Sequence, residues 1–204
     1  MKKYKHKSIR MYKSDFVERH SHVQPLTPLF VWTPIIAFLF YLAIAKENVP
    51  VSSLYLYAIS GILTWTLAEY ILHRFLFHLP IIGPFTKWFN FILHGVHHED
   101  PIDPTRLVMP PIPGIVLALP LYFMFSLIMG SVHVKPFFAF FLIGYLCYDY
   151  IHFYTHHFTP KTRLGKALKY NHMQHHFVDP KTNLGISSPL WDYVFGTFKT
   201  YKSK

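Results

Sequence analysis

Cysteine occurs once in these 204 residues, at Cys147, so no intrachain disulfide can form and no cysteine-based zinc motif exists. Acidic residues are also scarce, ten against twenty lysines and arginines, which leaves a formal charge of +10. The paired glutamates and Glu-x-x-His motifs of carboxylate-rich two-metal bundles are missing. So is any recognisable nucleic-acid-binding module, and a basic rim beside long apolar segments more simply contacts anionic lipid heads. There is no low-complexity segment and no internal repeat beyond two short histidine triplets.

Apolar residues are abundant: 51% of the chain is hydrophobic and 19% aromatic. They fall in four blocks, at 29–45, 54–72, 107–130 and 136–151. A span of hydrocarbon needs about 20 apolar residues, so the blocks predict an all-α membrane protein with about four transmembrane helices. The first and last blocks are marginal in length. Pro110, Pro111 and Pro113 place the true start of the third near Ile112, and a re-entrant hairpin is an alternative to full crossings for the last two. Residues 1–28 form a basic segment without a cleavage-site pattern, ahead of an integral-membrane domain at 29–204. Residues 79–92 mix prolines, aromatics and Lys87, a pattern suited to the headgroup level.

Eighteen of the twenty lysines and arginines fall on one side of a four-span topology, leaving Lys46 and Lys135 opposite. By the positive-inside rule the termini and the 73–106 segment face the cytosol.

Ten of the fifteen histidines form four tight groups: His73 with His78; His94, His97 and His98; His152 with His156; and His172, His175 and His176. His6, His20, His22, His133 and His157 fit no such spacing. Imidazole is the commonest protein metal ligand, and ten of them suit two metals at about five nitrogens each. Two groups share the pattern His-x-x-His-His, whose positions i, i+3 and i+4 lie on one helical face, so each triplet is expected to present its imidazoles to one point. His152 and His156 are also one turn apart. His73 and His78 differ, because i and i+5 diverge on an ideal helix: either the helix ends near Phe77, or the two serve different purposes.

The first and third groups begin where the second and fourth apolar blocks end. This places the metals in a cytosolic helical cap just outside the bilayer, within reach of a lipid. Hydrolytic zinc sites need only three protein ligands and an open position, so ten imidazoles suit two redox-active metals that activate O2 against an unactivated C–H bond. Iron is the expected metal, with zinc able to occupy the same nitrogens. A metal carrier, the reading from another class, would place ligands at the midplane of broken helices; here all ten lie beyond the blocks.

The chain resembles the fatty acid hydroxylase superfamily, and within it the fatty acid 2-hydroxylases. The matching stretches are 69–78 (EYILHRFLFH), 94–98 (HGVHH), 103–111 (DPTRLVMPP), 144–157 (GYLCYDYIHFYTHH), 171–176 (NHMQHH) and 183–198 (NLGISSPLWDYVFGTF). Histidine spacing alone also fits sterol and carotenoid hydroxylases and lipid desaturases; the RLVMPP and WDYVFGTF stretches point to the fatty acyl branch. The resemblance implies a four-helix anchor, a cytosolic cap with two metals on the ten histidines, and hydroxylation at C2 of a free fatty acid or a sphingolipid N-acyl group. It also implies an external electron donor, such as a separate b-type cytochrome or a ferredoxin system, since 28 residues are too few for the haem domain fused to many eukaryotic members. No haem is expected in this chain. A bacterial inner membrane is the expected location, or the endoplasmic reticulum in a eukaryote.

A metal-bound imidazole normally donates its other N–H to a carboxylate or carbonyl. Glu69, one turn before His73, and Asp149, three residues before His152, are the candidates for that role. Asp192 is a third, harder to place, and Asn171 and Asn183 read as turn residues.

Overall fold

The computed structural model describes residues 7–201, so His6 lies outside the described residues. Helix α1 (Asp15–Ser21) is short, and α2 (Thr27–Tyr41) continues into a π-helical turn at Leu42–Lys46. Helix α3 (Leu54–Ile71) also runs on as a π-helix, Leu72–Phe77. Next come α4 (Pro84–Asn90), a third π segment (Phe91–Gly95) and α5 (Val96–Glu99). The chain ends with α6 (Pro111–His157), α7 (Arg163–Phe177) and α8 (Leu190–Val194). The described residues contain no strand.

Three of these helical stretches are long and apolar enough to cross a membrane: Thr27–Lys46, Val51–Phe77 and Pro111–His157. The last joins the third and fourth apolar blocks. Gly130, at φ 80° and ψ 164°, breaks the helical path, a backbone state that glycine adopts without the penalty of a Cβ. Its two arms, 111–129 and 131–157, fold against each other, with Phe125 packed on Phe137 (ring centroids 5.0 Å apart) and Tyr122 on Phe138 (5.2 Å). Two adjacent apolar blocks therefore form one helical hairpin. Its first arm starts at Pro111, where a missing N–H costs nothing, not at residue 107.

The second arm of α6 is the centre of the protein, burying Phe137, Phe138, Phe141, Leu142 and Tyr145 against Trp32 of α2 and Trp65 of α3. Large apolar side chains face outward on the surrounding helices, among them Phe38, Ile59, Phe123 and Leu127, while charged and imidazole groups are buried. That inversion fits a hydrocarbon solvent. On α4, Phe85 and Trp88 are exposed beside Ile81 and Ile82, the apolar face expected of a segment at the headgroup level.

From residue 7 on, the basic N-terminal segment is packed against the rest of the protein. Arg106, with its side chain 1% exposed, pairs with Glu18 and donates to Ser21 and to the Ile9 carbonyl (3.2 Å). Helix α1 is thereby fastened over the 103–106 loop, and His22 adds a 2.7 Å bond to Thr105.

Candidate metal centre

All ten clustered histidines meet at the end of the bundle where α3 and α6 emerge, roofed by α5 and α7. They form two groups of five. His73, His78, His94, His98 and His175 make the first, and His97, His152, His156, His172 and His176 the second; within each, the candidate ligand atoms lie within 4.8 Å of one another.

Each His-x-x-His-His triplet is divided between the groups. His94 and His98 enter the first group and His97 the second; conversely, His172 and His176 enter the second and His175 the first. This corrects the expectation that a triplet addresses one point. Successive α-helical residues turn by about 100°, so positions i+3 and i+4 diverge by that angle, and a helix lying between two centres serves both.

The i, i+5 pair is resolved by the backbone. The π-helix at Leu72–Phe77 carries a bond from the His78 N–H to the His73 carbonyl (3.1 Å), and the two Nε2 atoms lie 3.2 Å apart. Asn90 secures the exit by donating to the carbonyls of Phe77 (3.0 Å) and Leu79 (3.3 Å). π-Turns are rare and recur at functional sites.

The donor set suits a cation. His73 Nδ1 lies 2.6 Å from the Leu184 carbonyl and His175 Nδ1 lies 3.0 Å from the Thr182 carbonyl. A carbonyl only accepts, so both rings carry their proton on Nδ1 and turn the Nε2 lone pair inward. Those Nε2 atoms sit 3.2 and 3.0 Å from the Nε2 of His78, which has at most one proton to share. In the second group, His97 and His152 approach to 3.0 Å and His156 and His172 to 2.7 Å through Nε2. Half-buried His176 has both ring nitrogens shielded from solvent and neither bonded within the protein. Converging lone pairs without enough protons are what a metal ion satisfies.

Burial holds these rings in the neutral form that ligates. It lowers His78 to about 4, and burial together with the neighbouring His78 lowers His98 to about 3. His94, His97, His172 and His175 are pushed well below the ordinary value by burial first and by neighbouring imidazoles second.

The carboxylates act at one remove from where helical spacing puts them. Glu69 does not reach His73. It accepts from the backbone N–H of Ile186 (2.6 Å) and Ser187 (2.9 Å) and from the Ser187 hydroxyl. Asp192, fully buried, accepts from the N–H of Leu184 and of Gly185, each at 2.8 Å, and from the Thr197 hydroxyl at 2.7 Å. Together they pin the 184–187 loop that presents the Leu184 carbonyl to His73. Asp149 does not reach His152 either: it accepts from Tyr145 Oη at 3.3 Å and from the Met109 backbone. One helical turn separates these acids from the rings, but the nearer unpaired backbone donors claim them.

The loop itself escapes sequence reasoning. A carbonyl acts whatever its side chain, so Thr182 and Leu184 leave no mark in a sequence. The detectable traces are Asn183, at φ 53° and bonded both ways to Lys199 (3.0 Å each), and Gly185, where a Cβ would fall 2.2 Å from the Ser188 carbonyl. Asn171 is buried on α7 instead of forming a turn.

A helical membrane architecture with two all-imidazole groups at its rim defines a class of membrane metal-site proteins, and comparison with known proteins narrows it. The model of the family described as "Fatty acid hydroxylase" matches residues 58–197, and the chain belongs to that family. It is 36% identical over 194 residues to a dihydroceramide fatty acyl 2-hydroxylase of Arabidopsis thaliana, covering 95% of this chain and 81% of the relative. It is 34% identical to the fatty acid 2-hydroxylase of Rattus norvegicus, over 93% of this chain and 56% of the relative. The chain thus spans little more than half of some relatives. A solved structure titled as full-length scs7p, with only the hydroxylase domain visible, superposes with a TM-score of 0.84 at 33% identity, over 91% of this chain and 70% of the other.

Proposed function

We propose that this chain is a membrane-bound oxygenase that hydroxylates a fatty acyl chain at C2, as a free acid or as a sphingolipid N-acyl group. The observation carrying this reading is the pair of five-imidazole groups beside an apolar cavity, in a chain whose relatives are named as fatty acid and dihydroceramide fatty acyl 2-hydroxylases.

His73, His78, His94, His98 and His175 would hold one metal, and His97, His152, His156, His172 and His176 the other. Iron, when bound, would supply the redox chemistry that lets O2 oxidise an unactivated C–H bond, which zinc, lacking redox chemistry, does not. The protein's own part is positional. Thr182 and Leu184 fix ring tautomers through their carbonyls, Glu69 and Asp192 hold the loop bearing one of them, and burial keeps bulk water from the site.

Each turnover consumes one O2, two electrons and two protons, and yields hydroxylated lipid and water. The electrons come from a separate carrier of the b-type cytochrome or ferredoxin kind. The lysine and arginine asymmetry supports a site on the cytosolic side, of the inner membrane in a bacterium or of the endoplasmic reticulum in a eukaryote.

The test is mass spectrometry of total acyl chains from cells with and without the protein. Expected are 2-hydroxy acids, one oxygen heavier with no loss of two hydrogens. A new double bond without a hydroxyl would assign the chain to desaturation; a hydroxylated sterol or carotenoid would redirect the substrate class.

A further inference from the structure

Two cavities adjoin beneath the histidines. The upper one is bordered by His94 and His152, one from each group, and on its outer side by Ser21, Thr105 and Arg106. The lower one descends between α2, α3 and both arms of α6, along Trp32, Trp65, Phe141 and Leu142. Phe77, Met109, Leu117 and Tyr148 border both. Phe77 stacks on His94 at 5.4 Å between ring centroids, and Tyr148 lies 5.8 Å from His152. The boundary the cavities share therefore includes the two aromatic rings that lie against the histidine groups.

We propose that the lower cavity receives the tail of the acyl chain and that Ala118 and Leu121, on the first arm of α6, set the chain length the enzyme accepts. The inference rests on the fatty acyl reading above and adds the polarity and length of the bound chain. Oxidation at C2 puts the carboxyl carbon one bond from the reacting carbon, so the polar head must stay in the upper cavity, beside His94 and His152. In this proposal the tail runs the other way, past Phe77 and Tyr148 and down into the lower cavity.

Gly114, Ala118 and Leu121 all border the lower cavity. At a rise of about 1.5 Å per residue they mark successive depths over about 10 Å. The outward positions Val116, Leu119 and Phe123 are bulky and exposed, so the narrow side chains of this arm lie where space is needed. A Cβ at Gly114 would approach Trp32 to 3.1 Å, so glycine here leaves room for an indole ring that lines the same cavity. From His152 down to Leu142 the second arm covers about 15 Å, which an extended chain with carbon–carbon bonds of about 1.5 Å fills with on the order of a dozen methylenes.

The test uses membranes containing the full chain, supplied with a reductant system and an equimolar series of saturated fatty acids of graded length. Products are hydrolysed and measured as 2-hydroxy acids. Ala118→Phe should depress hydroxylation of the longest substrates by about tenfold relative to the shortest, the scale of discrimination by a methylene-sized misfit. Leu121→Ala, which opens the floor, should shift the profile the other way, and it guards against misfolding of the first variant. An unchanged length profile in both variants, or an equal fall at every length with metal content retained, overturns the proposal. Absence of any 2-hydroxy product from the unaltered protein is a different result: it overturns the hydroxylation reading itself.

Discussion

His73 and His78 meet because of a backbone bond: the His78 N–H reaches the His73 carbonyl at 3.1 Å, and their Nε2 atoms stand 3.2 Å apart. An α-helical i→i+4 register would separate them. The π-turn is thus part of the first metal-binding group, and residues with no ligating atom, Asn90 above all, hold it.

The division of the triplets gives the sharpest test of the centre. Neighbours in sequence belong to different groups, and residues 75 positions apart belong to the same one. In detergent the protein should carry about two metal ions per chain, and the paired variant His97→Ala with His172→Ala should keep about one, because both losses fall on one site. Its counterpart, His97→Ala with His98→Ala, should fall toward none. Equal metal content in the two double variants, by elemental analysis, would refute the assignment.

Glu69 and Asp192 orient a ring only through the 184–187 loop. Glu69→Gln and Asp192→Asn should each weaken metal retention by about 10- to 100-fold, the range of outer-shell changes, with Glu69→Gln milder because one oxygen of Glu69 takes both backbone N–H groups, whereas Asp192 uses one oxygen for each. Glu69→Ala leaves buried backbone N–H groups unpaired and should cost stability by about 1–3 kcal/mol. Chelator titration alongside thermal unfolding separates the two effects; metal affinity unmoved in all three variants would show that the loop does not govern His73.

Acid should loosen the metal-free protein. His78 and His98 fall from the ordinary 6.5 to about 4 and about 3 in the fold, so below about pH 6.5 the unfolded chain binds protons that the folded one refuses. Stability is full above that pH and declines as pH falls toward 4. Melting temperatures of chelated protein across that window should drop, and His98→Gln should flatten the slope. A flat profile in the parent protein would contradict it.

Topology is open to cysteine labelling in a Cys147→Ser background. Glu99→Cys, beside His98, should react only from the cytosolic side, and Ser52→Cys, at the other end of α3, only from the opposite side. Both positions are exposed. Reversed labelling would invert the orientation drawn from lysine and arginine.

Apolar blocks announce themselves by composition and the ten histidines by spacing, because both signals reside in side-chain identity; the helical membrane architecture and the set of histidines that cluster are therefore legible in the sequence. What is not legible resides in the backbone. A π-turn has no residue signature, the carbonyls of Thr182 and Leu184 are blind to their side chains, and the two directions of a His-x-x-His-His face matter only once a second centre exists. The carboxylates stand out in an apolar chain as residues that need a purpose, and Glu69 and Asp192 have one. Spacing pairs Glu69 with the wrong donor, however, since helical proximity to His73 says nothing of a loop arriving from more than 100 residues away.

The hairpin bend at Gly130 also bears on how the chain enters a bilayer. At the end of the bundle away from the histidines, the described chain consists of the short 46–53 connection and this single bend, and the two lysines there are accompanied by Glu47, which Lys135 meets at 3.0 Å. Biogenesis therefore requires almost no polar sequence to be translocated. Each helical pair can enter as a unit, and the Lys135–Glu47 ion pair then joins the far tips of the two pairs, while in the orientation proposed above the histidine-bearing segments never leave the side on which they are synthesised.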